Sequence, residues 1–210
     1  MKHIILLGDS IFDNAPYVNG GPDVIAHLQQ RLPDNYNSTL LAIDGSVVRN
    51  VSAQLTRIPE DATHLFVSVG GNDALHKMEI LQMPARSSTE VFDALSDIAS
   101  AFEERYKKML ASILKLNKPT TLCTIYYPRY DEAFQQKIAV SALSTFNDVI
   151  IRQAFLAGFP LIDLRLLCNE VTDYANPIEP SVEGGYKIAK TIQKVADEHS
   201  FEGNRTTVYF

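Results

Sequence analysis

Long apolar runs are missing from this sequence, as are a basic surplus, a cysteine framework and a glycine-rich phosphate-binding signature. The longest apolar run near the start, IILLG, is broken by Asp9 and falls far short of the roughly 18 to 20 residues that span a bilayer. It is also shorter than the about 7 to 15 residues of a signal-peptide core. Ile4–Leu7 therefore reads as the first strand of a cytoplasmic protein with no membrane span. Cysteine is limited to Cys123 and Cys168, with no CxxC spacing, which fits two reduced structural thiols better than a disulfide or a metal site. The histidines lack the paired spacing of a zinc site, and neither GxGxxG nor a phosphate loop ending in GKS or GKT follows the first strand. No metal and no cofactor is implied. Lys and Arg number 19 against 25 Asp and Glu, a net charge of −6 with the signs interspersed. No basic stripe is available to neutralise a phosphate backbone, so nucleic acid is not an expected partner.

What is present is an ordinary globular composition, 46% apolar and 21% charged over 210 residues, which suits one domain spanning 1–210. Short apolar runs alternate with longer amphipathic ones, the pattern of a parallel sheet crossed by helices. Strands are predicted at Ile4–Leu7, Thr39–Ile43, Leu65–Val69, Thr121–Tyr126 and Leu161–Leu164. Helices are predicted at Asp23–Leu32, Val47–Ile58, after a capping box at Ser87 and Glu90, at Phe134–Leu156 and at Val182–His199. The helix after Ser87 carries Leu95, Ile98, Phe102, Tyr106, Met109 and Ile113 on one face. The fold class is α/β, a three-layer α/β/α domain with a five-stranded, mainly parallel, flavodoxin-like sheet. The tail from about 200 to 210 reads as a frayed end or an added edge strand.

In such sheets ligands bind beyond the carboxyl ends of the strands. There the first strand ends on Gly8-Asp9-Ser10, the second on Asp44-Gly45-Ser46 and the third on Gly70-Gly71-Asn72-Asp73. A serine leaving a strand through a glycine turn exposes its hydroxyl, and nearby N–H groups with a side-chain amide can stabilise an oxyanion. Small residues leave room for a carbonyl to approach.

These three motifs, in order and each at a predicted strand end, resemble the SGNH hydrolase superfamily of GDSL-like esterases and lipases. The resemblance implies that Ser10 is the nucleophile and that Ser10 N–H, Gly45 and Asn72 supply oxyanion donors. It also implies a small-molecule ester or acylated substrate. The family's closing Asp-x-x-His motif is replaced: Pro180 and Gly184 keep its frame, which sets Asn176 at the Asp position and Glu179 at the His position.

Glu179 is then the candidate base, and it needs an apolar or anionic surrounding to raise its pKa. The alternative is that Glu179 caps the last helix. His76 is the other candidate base, since His3 and His64 begin strands at the opposite edge and His27 and His199 sit on helices. Asp9, Arg49, Tyr127 and Asn176 are candidate substrate-binding residues, with Asp13, Asn14, Tyr126, Arg129 and Tyr130 on the same rim. Asn176 could also orient Glu179 by donating a hydrogen bond. Three functions are compatible with this set: a serine-dependent ester hydrolase, an acyltransferase, or a ligand-binding protein on the same scaffold. Oligomeric state is not legible.

Overall fold

The apolar run at the start forms β1 (Lys2–Gly8), buried from His3 onward. The computed structural model describes residues 1–203 and 205–210; Asn204, inside the C-terminal tail, lies outside the described residues. The chain continues through α1 (Val24–Arg31), β2 (Tyr36–Leu40), α2 (Val51–Leu55), β3 (His64–Ser68), α3 (Gly71–Leu75) and α4 (Ser88–Leu114). Then come β4 (Thr120–Cys123), α5 (Ala133–Ala157), β5 (Leu161–Ile162), α6 (Leu164–Leu167), a hairpin of β6 (Tyr174–Asn176) and β7 (Glu179–Pro180), α7 (Val182–Glu198) and β8 (Val208–Tyr209). Among the described residues no helix is long and apolar enough to cross a membrane.

The main sheet runs β2-β1-β3-β4-β5-β8, with every pairing parallel. Its order reverses between β1 and β3, the switch point at which such sheets bind ligands. The sheet has six strands rather than the expected five. The sixth comes from the tail, where Leu161 and Asp163 N–H donate to Thr207 and Tyr209 carbonyls at 2.9 and 2.8 Å. Without β8 these donors would form an open edge.

The pleat of β1 divides the core between two faces. Ile5 and Leu7 pack with Leu65, Val67 and the Phe102, Tyr106 and Ile113 face of α4. Ile4 and Leu6 pack instead with Val24 and Leu28 of α1 and Ile188 and Ile192 of α7. Both faces of the strand are thus covered, which explains its unbroken apolar sequence.

Local chemistry sets the element ends. Asp23 caps α1 by accepting from Ala26 N–H at 2.8 Å, and Ser87 caps α4 by accepting from Glu90 N–H at 3.3 Å. Glu90 accepts from Arg86 N–H rather than from Ser87, so the reciprocal half of the expected capping box is offset by one residue. The stretch predicted as a helix over Val47–Ile58 is a 3-10 turn (Val48–Asn50) followed by the short α2. The second strand sits earlier than Thr39–Ile43, because Leu41 and Ala42 N–H both turn onto the Leu6 carbonyl and interrupt the ladder. The fourth strand stops at Cys123, and the fully buried Asn147 of α5 takes over the backbone shortly beyond it. Its amide accepts from Ile125 N–H and donates to Ile125 C=O, both at 2.8 Å. Asn147→Ala strands both backbone groups and is expected to lower stability by about 2 to 4 kcal/mol, measured by urea unfolding.

Helix α4 outruns the sheet beneath it. At 27 residues it is about 40 Å long, whereas the five-residue β3 reaches only about 17 Å. Phe102, Tyr106, Met109 and Ile113 are buried against the sheet, while Leu95 and Ile98, nearer the start of the helix, remain only partly covered.

Candidate active site

The turn that presents Ser10 begins at Gly8, whose φ is +129°. A Cβ there would lie 1.8 Å from the Ser68 carbonyl oxygen on the neighbouring strand. Only glycine lets β1 and β3 run this close while the chain swings out. Gln54 of α2 clamps the turn, accepting from Gly8 N–H and donating to Gly8 C=O, each at 2.8 Å. Beyond it Asp9 N–H donates to Ser68 C=O at 3.1 Å, and Phe12 and Asp13 N–H fold back onto the Asp9 carbonyl at 3.2 and 3.1 Å.

From this turn Ser10 Oγ donates to Glu179 Oε1 at 3.1 Å, across 169 residues of sequence. Glu179 is 6% exposed, as is Ser10. Contacts to the residues on either side of Glu179 hold it there. Asn14 Nδ2 donates to Pro180 C=O at 3.1 Å, while Asn14 Oδ1 accepts from Val24 N–H at 2.9 Å. On the other side Tyr126 OH donates to Ile178 C=O at 2.6 Å. Glu179 does not cap the last helix; Ser181 does, accepting from Glu183 and Gly184 N–H at 3.1 Å each.

Burial pushes the Glu179 carboxyl up to about 7, with the Ser10 hydroxyl opposing the rise and the Asp44 charge adding to it. Its second oxygen, Oε2, is buried and has no partner among the described residues. Asp9 is pushed up further, to about 8, chiefly by burial, against the stabilising Ile11 N–H and with the Glu179 and Asp73 charges adding to the rise. Asp73 is also raised by burial, against the Val48 N–H and Arg105. Burial therefore makes both neighbouring carboxyls, Asp9 and Glu179, hold their protons more tightly than exposed ones do.

Asn72 follows β3 and lies on the same cleft as Ser10, Asp9 and Glu179. Its Nδ2 donates to Ser46 C=O at 3.0 Å, which joins the second and third loops. Gly45 is exposed with φ +75° and borders a separate depression with Asp44, Asn50 and Arg57. Among the described residues neither Ser10 N–H nor Gly45 N–H has a protein acceptor. The cleft has a cavity volume of about 110 Å³ and opens to solvent. Leu75 of α3 and the following Met78 and Leu81 form one wall, and Leu143 and Phe146 of α5 form another. Helix α4 contributes Leu95 and Ile98, the two residues left partly uncovered where it overhangs the sheet.

The other residues singled out in the sequence fall elsewhere. Arg49 is exposed on the 3-10 turn and does not line the cleft. Tyr127 is also outside it: its carbonyl accepts from Tyr174 OH at 2.8 Å, and Tyr126 and Tyr130 line the cleft in its place. Asn176 is exposed, and its Oδ1 accepts from Ile178 N–H at 2.9 Å inside the hairpin, so it does not hold the Glu179 carboxylate. Asp13 accepts from Asp44 N–H at 2.9 Å, and Arg129 N–H donates to Pro177 C=O at 2.8 Å. His76 is exposed at the end of α3, off the cleft lining. His3 pairs with Asp61 at 3.0 Å, His27 meets Val182 C=O at 3.0 Å, and His64 and His199 both pack edge-on against Phe201. The clamps Gln54 and Asn147 escape a reading of the sequence, since nothing local distinguishes a buried amide on a helix from a solvated one.

The family model for the GDSL-like lipase/acylhydrolase family matches residues 6–185. No curated protein sequence matches the chain. Among solved structures, the acetyl xylan esterase AlAXEase superposes with a TM-score of 0.68 at 20% identity, covering 92% of this chain and 98% of that one. A phospholipase A1 from Streptomyces albidoflavus gives 0.67 at 12% identity, covering 90% and 98%. A psychrotrophic esterase, EstA from Pseudoalteromonas sp., gives 0.65 at 14% identity, covering 94% and 100%. At these identities the structural likeness speaks to the fold. The family match speaks to more, because it runs from inside β1 to inside α7, across every loop that delivers a residue to the cleft; on that ground the chain belongs to the GDSL-like lipase/acylhydrolase family and is a serine ester hydrolase of the SGNH type.

Proposed function

We propose that this enzyme hydrolyses carboxylic esters with Ser10 as nucleophile and Glu179, alone, as its base. The observation that carries this reading is the 3.1 Å hydrogen bond from Ser10 Oγ to a buried carboxylate whose pKa lies at about 7. An exposed carboxylate, ordinarily at about 4.3, is too weak a base for an alcohol, and burial closes much of that gap. No histidine among the described residues bonds to Ser10.

In the first half-reaction Ser10 Oγ attacks the ester carbonyl carbon as its proton passes to Glu179 Oε1. The oxyanion rests on Ser10 N–H and on the Asn72 amide proton not taken by Ser46 C=O; Gly45, on a separate depression, is left out of this step. Collapse of the tetrahedral intermediate breaks the bond to the alcohol, which leaves with the proton from Glu179, and Ser10 is acylated. Water then gives a proton to Glu179 and attacks the acyl carbon; the second collapse releases the acid and returns the proton to Ser10. A neutral Asp9 keeps a further negative charge away from the oxyanion while its Oδ1 holds the turn through Ile11 N–H at 3.2 Å.

A fluorophosphonate probe tests the nucleophile. One label per chain, located on Ser10 by mass spectrometry and absent in Ser10→Ala, is the expected result. An unlabelled wild-type enzyme, or label on another residue, removes Ser10 from this role.

A further inference from the structure

The cleft that begins at Ser10 continues past the serine turn along apolar side chains of α4 and α5. Phe146 is its most deeply buried α5 residue, and its ring lies 4.9 Å from that of Phe102, which in turn packs against Gly70. From there α5 forms one wall through Leu143, Ala142 and Ala139, and Leu81 and Leu95 also line the space. Ala139 to Phe146 spans about 10 Å at the helical rise, the reach of an extended chain of roughly eight carbons. Met78 and Leu81 on the α3 side are large apolar side chains left 41% and 43% exposed. Such surface favours a ligand that removes it from water.

Charge describes the other half of the ligand. Asp9 and Glu179 line the cleft beside Ser10, Asp44 lies close enough to raise Glu179, and Lys77 is the one cation in the lining among the described residues. Lys77 alone could neutralise an anionic alcohol group there, whereas a neutral one needs no counter-charge.

Resting on the role of Ser10 proposed above, we infer that the substrates are neutral esters of medium-chain fatty acids, about six to ten carbons long, with the acyl chain lying between α4 and α5. The small side chains of Ala139 and Ala142 leave room for the chain to run along α5.

The test is kcat/KM for p-nitrophenyl acetate, butyrate, hexanoate, octanoate and decanoate. Each buried methylene contributes about threefold to fourfold, so octanoate, with six more methylenes than acetate, is expected to exceed it by about 700-fold or more. Ala142→Trp, which fills the middle of the α5 wall, is expected to cut the octanoate-to-acetate ratio at least about tenfold. Ala139→Trp, one turn farther from Phe146, supplies a second variant and is expected to cut the decanoate-to-butyrate ratio; thermal melting checks that both variants fold. A series that is flat or best with acetate, but lost in Ser10→Ala, overturns the acyl-chain inference and leaves ester hydrolysis standing. Ratios unchanged in both folded variants overturn the placement of the chain. Turnover that survives Ser10→Ala, or no turnover of any ester, overturns the hydrolase mechanism beneath it.

Discussion

Glu179→Gln is expected to lower kcat/KM toward a reactive ester by about 10³-fold and to abolish a rise in rate centred near pH 7. General-base catalysis contributes roughly 10² to 10⁴, and glutamine keeps the shape and one hydrogen bond to Ser10 but accepts no proton. The direction of the pH profile comes from the role: Glu179 works as a base only when ionised, so activity climbs as pH rises through about 7. A profile unchanged in Glu179→Gln would remove it as the base. Stability moves the other way. The Glu179 and Asp9 carboxyls bind protons more tightly in the folded chain, at about 7 and about 8, than their ordinary values of 4.5 and 3.8. Their contribution is full below about pH 4 and is lost as pH rises through 7 and then 8. Melting temperatures measured between about pH 5 and pH 9 should therefore decline in the wild type and decline less in Glu179→Gln and Asp9→Asn.

Gly8→Ala is expected to destabilise the protein by about 4 kcal/mol or more, placing it among the most damaging single methyl additions available in the chain. Two effects add. The backbone conformation at φ +129° is one that side chains rarely adopt, and the new Cβ would overlap the Ser68 carbonyl at 1.8 Å. Relief requires β1 and β3 to separate where they hold Ser10 and Asn72, so activity should fall with stability. Gly20→Ala separates the two effects, because φ is +81° there but nothing lies within 4 Å of the added Cβ. Its cost should be only about 1 kcal/mol. Urea unfolding of both variants gives the comparison, and equal losses would show that the strand contact is not the cause.

Much of this architecture is legible in the sequence. A strand buried on both faces must be apolar throughout, as IILL is, and a helix packed on one side must repeat its apolar residues every three or four, as α4 does. Turns are local as well, so Gly8 and the Gly70-Gly71 pair mark strand ends by their own chemistry, whereas Gly45 lies five residues past the end of β2. The corrections occur where a distant partner decides. Tail residues became β8 because β5 had an open edge, and the fourth strand stopped at Cys123 because Asn147 satisfies Ile125. Tyr126 rather than Tyr127 reached the cleft.

The cleft shows the same division. Leu95 and Ile98 carry the same helical periodicity as Phe102 and Tyr106, and that periodicity cannot say where the sheet beneath the helix ends. By itself the sequence determined the alternation of strands and helices, the small-residue turns at the strand ends and the presence of Glu179 just ahead of the last helix. Tertiary structure alone decided that Glu179 meets Ser10, that its pKa lies at about 7 and that an apolar cleft opens beside it. The reason is physical: propensity and periodicity act over a few neighbours along the chain, whereas burial, desolvation and a contact spanning 169 residues exist only once the layers have packed.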